Sequence, residues 1–250
     1  MQGSIVTASL RGHRFIRLYL VRRDSAETLI ESVRAGFEYI FAYSLHDLGY
    51  VPGFKREQKW TQLVRLDRSP DDLLASLKQK IRYQINRTYR DEGIKVIVDD
   101  PDRVGSYQFY KDVKEADGVV PDLVEDFSSV RWINAYQGGR FIVSTSWFDS
   151  REVLRSKHIV STRKQDAGGA ALTGRLTRRL FWEACLIGLN AGHHYVDLGG
   201  LDPDDPAKSG ITSFKQTFGG ETVKIFIYRY ATPSWREVSE RELSTGRMVV

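Results

Sequence analysis

The residues best suited to chemistry lie late in the chain, in two glycine-rich stretches. A strand ending in a glycine pair is predicted for Tyr195-Val-Asp-Leu-Gly-Gly-Leu201, and a helical turn entering a second pair for Thr212-Ser-Phe-Lys-Gln-Thr-Phe-Gly-Gly-Glu221. Paired glycines at a strand end let another backbone or a ligand approach closely. A lysine flanked by Phe214 and Phe218 has partly apolar surroundings, where its charge is weakly screened. The pattern is typical of a binding or catalytic site, or of an ordinary strand-to-helix turn carrying an amphipathic surface lysine.

These stretches resemble the C-terminal acyltransferase half of the FemABX family, which transfers amino acids from aminoacyl-tRNA onto the amines of cell-wall peptides. The matching features are the Asp-Leu-Gly-Gly strand end, the variable acidic loop and the Gly-(x)3-Phe-Lys-(x)2-Phe-Gly pattern at 210–219. A second block, Lys80-Ile-Arg-Tyr-Gln-Ile-Asn-Arg87 followed by Asp91-Glu-Gly-Ile-Lys-Val96, is similar to the family's Lys-x-Arg-Tyr-Asn-Ile-Arg helix and Gly-Val-x-Val strand. Both blocks lie in the family's order across residues 61 to 230.

The resemblance implies an α+β (α/β) protein with a GNAT-type acyltransferase fold, in which helices flank a central mixed, largely antiparallel sheet. It places Lys215 at the tRNA 3′ end and the reacting ester, with Phe214 beside the terminal adenosine or shaping the pocket. An aminoacyl ester is already activated, so the enzyme supplies proximity, a route for the amine proton and stabilisation of the oxyanion. We interpret Asp197 as the residue that orients the amine or accepts its proton. The substrate ribose and a water could relay that proton instead.

The remaining predicted site residues fall into two groups. The substrate-binding group adds Phe218, Tyr195, Gly199 and Gly200, and the tRNA- or phosphate-binding group consists of Lys80, Arg82, Arg87 and Arg90. Basic residues gather at 11–23, 78–90 and 175–179 in a chain of formal net charge +5. Such clusters neutralise phosphates, although they also occur on ordinary solvated surfaces. The predicted partners are aminoacyl-tRNA and an amine-bearing peptidyl small molecule, and the sequence indicates no oligomeric state.

Two other functions remain open at this level. Gln165-Asp-Ala-Gly-Gly-Ala170 matches the Gln/Arg-x-x-Gly-x-Gly/Ala loop with which GNAT enzymes hold the pyrophosphate of acyl-CoA at a helix N-terminus. The helix that follows, to Gly192, is about two turns longer than resemblance to those enzymes implies, and short glycine patterns also arise by chance. The third hypothesis is a non-catalytic, nucleic-acid-binding GNAT relative, in which Lys215 and Asp197 are dispensable.

Composition limits the architecture. The 250 residues, 41% of them hydrophobic, can bury one substantial core. We expect an abbreviated strand-helix-strand part at 1–68, an acyltransferase core at 69–235 and a tail at 236–250. Because 68 residues cannot hold the first GNAT-type domain of typical FemABX proteins, we expect a small acceptor, such as a peptide antibiotic intermediate, ahead of a peptidoglycan precursor.

Several sequence features indicate the compartment and the absence of cofactors. Cys185 is the only cysteine, so we expect a core thiol and a cytoplasmic protein. No apolar run approaches the length of a bilayer span, so we expect no membrane insertion. None of the five histidines stands at a metal-ligand spacing with another ligand type. We therefore expect no metal and no cofactor, and we interpret His193 and His194 as a pair at the solvent edge.

The elements that must position the site follow from periodicity and capping. Ser69-Pro70 predicts a helix start, and the helix to Asp91 turns a row of leucines and isoleucines inward. Other helices are predicted at 25–36, 104–114, 122–135 and 170–191. Strands are predicted at 14–21, 37–45, 59–66, 94–98, 140–148, 153–162, 194–198 and 221–230.

Overall fold

A computed structural model describes residues 5–10, 12–19, 26–90, 93–150, 152–162 and 169–237 of the chain. The strands in these ranges are β1 Ile5–Leu10, β2 His13–Tyr19, β3 Tyr39–Ser44, β4 Lys55–Arg65, β5 Ile94–Val98, β6 Val130–Gln137, β7 Arg140–Asp149, β8 Val153–Ser161, β9 Tyr195–Leu201 and β10 Glu221–Ala231. The α-helices between residues 26 and 216 are α1 Ala26–Arg34, α2 Pro70–Ser76, α3 Gln79–Tyr89, α4 Arg103–Ala116, α5 Ala170–Asn190 and α6 Ser209–Gln216.

All ten strands belong to one sheet, in the order β1-β2-β3-β10-β4-β9-β8-β7-β6-β5. Among the described strands, β2 with β3 and β8 with β9 are parallel, and the other neighbours are antiparallel. The mixed, largely antiparallel sheet that the sequence predicts is confirmed. The strands of the first 65 residues join the same sheet as the later ones, with β4 between β10 and β9. The predicted unit boundary at residue 68 stays a prediction.

The helix start predicted at Ser69 is confirmed. The Ser69 hydroxyl accepts a hydrogen bond of 3.1 Å from the backbone N–H of Asp72, and Pro70 occupies the first turn. This cap satisfies one of the N–H groups that every helix start leaves without an intrahelical partner. The inward-facing residues are buried as expected, namely Leu73, Leu77, Ile81 and Ile85.

The single helix predicted from Asp71 to Asp91 is wrong, because the chain breaks into α2 and α3. Leu77 and Lys78 adopt extended backbone with ψ of 150° and 142°. The Arg82 guanidinium donates to the backbone oxygens of Ala75 and Leu77, at 2.6 and 2.8 Å. These bonds satisfy carbonyl groups that the break leaves open.

The helix predicted at 122–135 is also wrong. Only Val124–Phe127 is helical there, as a short 3-10 turn, and β6 begins at Val130. The segment is a strand because β6 pairs with both β5 and β7, and this pairing overrides the local pattern. Ile133 and Trp132 are buried in two different clusters of the core. A tight turn between β6 and β7 follows, with positive φ at Gly138 and Gly139.

The two faces of the sheet carry different cores. Helices α2, α3 and α5 cover one face, where Trp147, Leu180 and Phe181 are fully buried. Aromatic residues of the other face pack beside α4, among them Tyr43 and Phe148. The prediction that Cys185 is a core thiol is confirmed, since it is 2% exposed and burial raises its pKa to about 12.

The interpretation of His193 and His194 as a solvent-edge pair is wrong for the first residue. His194 is exposed, but His193 is buried and its Nε2 lies 2.8 Å from Asp149 Oδ1. In the part of the chain that the structure describes, no helix is long and apolar enough to cross a membrane. The same residues contain no group of three side chains able to hold a metal ion.

Candidate active site

The two glycine-rich stretches meet where the parallel strands β8 and β9 separate. Their pairing covers only Val153 to Arg155 against Tyr195 to Asp197, although both strands continue further. Beyond this point the pairing of β8 with β9 ends, although Gly199 still lies close to Ser156. Arg155 and Asp197 form the last paired position.

Asp197 is completely buried at this position and is held by four donors. It accepts hydrogen bonds from the Tyr43 hydroxyl at 2.6 Å, the Gly199 N–H at 2.8 Å, the Thr61 hydroxyl and the Arg155 guanidinium. Burial raises the pKa of Tyr43 well above its ordinary value, so the phenol stays protonated and donates. The Arg155 guanidinium lies 3.5 Å from the centre of the Tyr43 ring. A buried carboxylate with this many partners is well suited to hold neighbouring groups in place.

Lys215 of α6 reaches the end of the same pairing, beside Gly199 and Gly200 of β9. Its Nζ donates to the backbone oxygen of Gly200 at 2.6 Å, and the residue is 4% exposed. Burial lowers the pKa of Lys215 to about 8; Arg155 contributes to the shift and Asp197 opposes it. One of its three N–H donors is used by Gly200, so two can serve a substrate oxygen.

Gly199 lies directly beside the Lys215 ammonium. Its φ of +82° lies in the left-handed region that favours glycine, and a Cβ there would lie 3.5 Å from Lys215 Nζ and 3.4 Å from the Ser156 carbonyl oxygen. These are ordinary van der Waals distances, so the requirement for glycine at this position comes from the backbone conformation.

The predicted aromatic residues separate into different roles. Phe214 is half-buried and lines a groove of about 750 Å³ between α3, α5 and α6. Phe218 is 2% exposed and packs 5.3 Å from the Phe181 ring, within the core. Tyr195 lies two residues before Asp197, where β8 and β9 are still paired. Of the three, Phe214 is the one whose position beside a groove suits direct contact with a ligand.

The predicted phosphate-binding residues also differ from one another. Lys80, Arg87 and Arg90 are exposed along α3, whereas Arg82 is half-buried and bonded to the end of α2. The loop at 165–170, which matches the acyl-CoA pattern, lies mostly outside the described residues, as does part of the basic cluster at 11–23.

A second buried polar cluster on β8 was missed by sequence reasoning. Lys157 Nζ and His158 Nε2 both contact Asp122 Oδ2, at 2.6 and 2.7 Å. Burial, together with the Lys157 charge, lowers the pKa of His158 to about 4, so this imidazole is neutral at physiological pH. The available signal was the run Arg155-Ser-Lys-His158 between the apolar residues 153–154 and 159–160 of a predicted strand, because charged residues inside a buried strand are rarely unpaired.

Comparisons with known proteins identify the fold. No protein-family model and no curated protein matches the sequence. Among solved structures, FemX matches with a TM-score of 0.58 at 11% identity, covering 98% of this chain and 87% of that one. L-PGS from Bacillus licheniformis matches with a TM-score of 0.57 at 14% identity, covering 99% and 87%.

A protein of the GNAT family from Novosphingobium aromaticivorans also matches, with a TM-score of 0.51 at 10% identity, covering 87% of this chain and 84% of that one. The protein therefore has a FemABX-like, GNAT-type fold, as the sequence blocks predict.

Proposed function

We propose that the protein is a peptide-bond-forming transferase that moves an aminoacyl group from aminoacyl-tRNA to the amine of a peptidyl acceptor. The observation that carries this proposal is the ammonium of Lys215, buried next to the end of the β8–β9 pairing and 2.6 Å from the Gly200 oxygen. A fixed cation in a site that excludes water is suited to an oxyanion that develops during acyl transfer. Aminoacyl-tRNA as the donor is supported by the FemABX-like sequence blocks and by the fold shared with FemX and L-PGS.

The chemistry that we propose requires no covalent enzyme intermediate. The acceptor amine attacks the ester carbonyl carbon and forms the new C–N bond, while the carbonyl oxygen becomes an oxyanion that accepts hydrogen bonds from Lys215. The C–O bond to the tRNA ribose then breaks, and the proton lost by the amine ends on the departing ribose oxygen. The protein contributes proximity and electrostatic stabilisation, which account for large rate enhancements in acyl transfer.

We assign Asp197 a positioning role in this reaction. Its two oxygens already accept from Tyr43, Thr61, Arg155 and Gly199, and no part of the carboxylate is exposed. A substrate amine would have to displace one of these donors to reach it. The proposed role is therefore to hold Arg155 and the backbone of Gly199 next to Lys215, and the ribose and a water take over the proton relay.

The acceptor side of the proposal rests on the polar residues of β8. Lys157 and His158 follow Arg155 along β8, beyond the last residues paired with β9, and both are tied to Asp122. Charged and polar side chains of this kind suit a polar peptidyl acceptor better than an apolar one. A peptide antibiotic intermediate and a peptidoglycan precursor both meet this description, and a cytoplasmic location agrees with the tRNA donor.

The test supplies the protein with a pool of radiolabelled aminoacyl-tRNAs and a panel of peptidyl amines, and in parallel with labelled acetyl-CoA. Transfer of label from tRNA to an amine is expected, and it should be lost in Lys215→Met but retained in Lys111→Met, which changes a lysine of α4 whose side chain is 40% exposed and paired with Glu115. Transfer from acetyl-CoA alone would replace the proposed donor. RNA binding without transfer from either donor would favour a non-catalytic protein.

A further inference from the structure

Lys215 belongs to α6, a helix of eight residues whose place in the protein depends on how it is attached to its neighbours. Phe214 of α6 and Phe218, which follows it, pack against Phe181, with ring centres 5.6 and 5.3 Å from the Phe181 ring. Apolar packing is non-directional, so it favours contact of α6 with the core but does not fix the helix along its own axis. A directional contact is needed to set how deeply the Lys215 ammonium lies in the sheet.

Gln62 of β4 provides such a contact. This glutamine is buried, and its Nε2 donates a hydrogen bond of 2.7 Å to the backbone oxygen of Gly219, just after the end of α6. The N–H of Gly219 donates to the Gln216 oxygen at 3.0 Å, so one residue both closes the helix and bonds to β4. The Oε1 atom of Gln62 accepts from the Thr222 hydroxyl at 2.7 Å, so both ends of the amide are fixed.

The chain passes β4 in close contact at the next residue. Gly220 has a φ of +79°, in the left-handed region, and a Cβ there would lie 1.9 Å from the Leu63 oxygen and 2.7 Å from the Leu63 carbonyl carbon. A side chain at this position would push the connection between α6 and β10 away from β4. The Gln62 side chain and the Leu63 backbone therefore fix the end of α6 together.

The residue before Gln62 holds the other half of the candidate site. Successive side chains of a strand point to opposite faces of the sheet, and on the face opposite to Gln62 the Thr61 hydroxyl donates to Asp197. Thr61 also pairs directly with Gly200, whose oxygen accepts from Lys215 at 2.6 Å. Two neighbouring residues of β4 thus connect to Asp197 on one face and to the end of α6 on the other.

We propose that Gln62 is a positioning residue of the candidate site, which holds α6 at the depth where the Lys215 ammonium lies against the Gly200 oxygen. The proposal rests on the proposed function, because Gln62 acts on transfer through Lys215. It also gives β4, a strand of the first 65 residues, a part in the geometry of the reaction. Misplacement of a reacting group by about 1 Å can cost about a hundredfold in rate, so a contact that fixes α6 along its axis matters beyond its own bond energy.

The experiment replaces Gln62 by methionine, which keeps the length of the side chain and removes both hydrogen bonds. Thr222→Val is the milder variant, since it frees the amide oxygen of Gln62 and leaves the bond to Gly219 in place. Gln58→Met is the matched control, because Gln58 is an exposed glutamine of the same strand. The first measurement needs no substrate: NMR follows the titration of the Lys215 side-chain carbon signal, which is assigned by its absence from Lys215→Met. The second measurement is kcat and KM of aminoacyl transfer.

The expected changes follow from the surroundings of the ammonium. Burial lowers the pKa of Lys215 to about 8, with the Arg155 charge acting in the same direction and the Asp197 charge against it. When α6 shifts outward, water reaches the ammonium, so this pKa should rise toward its ordinary value of 10.5 in Gln62→Met, rise less in Thr222→Val and stay unchanged in the control. The kcat of transfer should fall about ten- to a hundredfold in Gln62→Met, with KM changed by less than about threefold.

The outcomes separate this inference from the proposed function. If Gln62→Met raises the pKa of Lys215 but the unaltered protein transfers no aminoacyl group, the position of Lys215 depends on Gln62 and the proposed function is wrong. If transfer depends on Lys215 but its titration is the same in Gln62→Met, the inference is wrong and the proposed function stands, even where the melting temperature falls. A raised pKa with an unchanged kcat in an active protein also overturns the inference. If Gln62→Met does not fold, Thr222→Val decides by the same criteria.

Discussion

Replacement of Lys215 by methionine tests the site most directly, because activity and stability are expected to change in opposite directions. Methionine keeps the length and apolar stem of the side chain but removes the ammonium. Removal of one preorganised contact to an oxyanion costs about 2.7–4 kcal/mol of transition-state stabilisation, so transfer should fall about a hundred- to a thousandfold.

The stability effect follows from the lowered pKa of Lys215. The change from the ordinary value of 10.5 to about 8 means that the buried ammonium costs about 3 kcal/mol at pH 7. Methionine removes this cost, but the loss of the hydrogen bond to the Gly200 oxygen offsets about 1 kcal/mol of the stabilisation gained. The free energy of unfolding of the Lys215→Met variant should therefore exceed that of the unaltered protein by about 2 kcal/mol at pH 7.

The pH dependence has a defined sign. Between pH 8 and 10.5 the unfolded state binds more protons at this lysine than the folded state does, so the unaltered protein gains stability as the pH rises. The advantage of the methionine variant should shrink to about 0.5 kcal/mol at pH 9.5. Urea unfolding at pH 7 and 9.5 measures both values, with Lys111→Met as the control for loss of one partly exposed lysine.

Two results would refute this reasoning. Transfer within a few-fold of the unaltered rate would mean that Lys215 makes no contact that matters in the transition state. A variant that is less stable at pH 7 would mean that the ammonium is well solvated or well paired in the folded protein, contrary to its 4% exposure.

Three further outcomes are expected. The rate of transfer should decline above about pH 8 as Lys215 loses its proton, and the residual activity of the Met variant should lack this alkaline limb in a pH–rate profile. Arg155→Met leaves the buried Asp197 carboxylate uncompensated and should lower the free energy of unfolding by about 3–5 kcal/mol. Arg155→Met combined with Asp197→Leu should lower that free energy by less. Urea denaturation measures both values. Arg87→Gln should weaken RNA binding and reduce its dependence on salt while leaving the melting temperature unchanged. Arg82→Gln should instead lower the melting temperature, because it removes the hydrogen bonds that cap the C-terminal end of α2. Equal melting temperatures of the two variants would contradict this assignment.

Local sequence signals determined much of the fold. The Ser69-Pro70 start and the inward row from Leu73 to Ile85 follow from capping and helical spacing, and the structure confirms both. The bounds of most strands were predicted within a few residues, because alternating apolar and polar residues and glycine turns can be recognised in short stretches of sequence. The failures at 77–78 and 122–135 occurred where packing or strand pairing overrides local preference.

The candidate site divides in the same way. The sequence by itself determined which residues could do chemistry, since the glycine pair and the Phe214-Lys215 pattern are local and resemble a known family. Only the tertiary structure decided what surrounds them: Asp197 meets Arg155 from 42 residues away, across the helix α5 that separates β8 from β9, and it meets Tyr43 of β3 from 154 residues away. The lowered pKa of Lys215 depends on burial, which arises from all the elements that pack around a group. No short window of sequence contains that information.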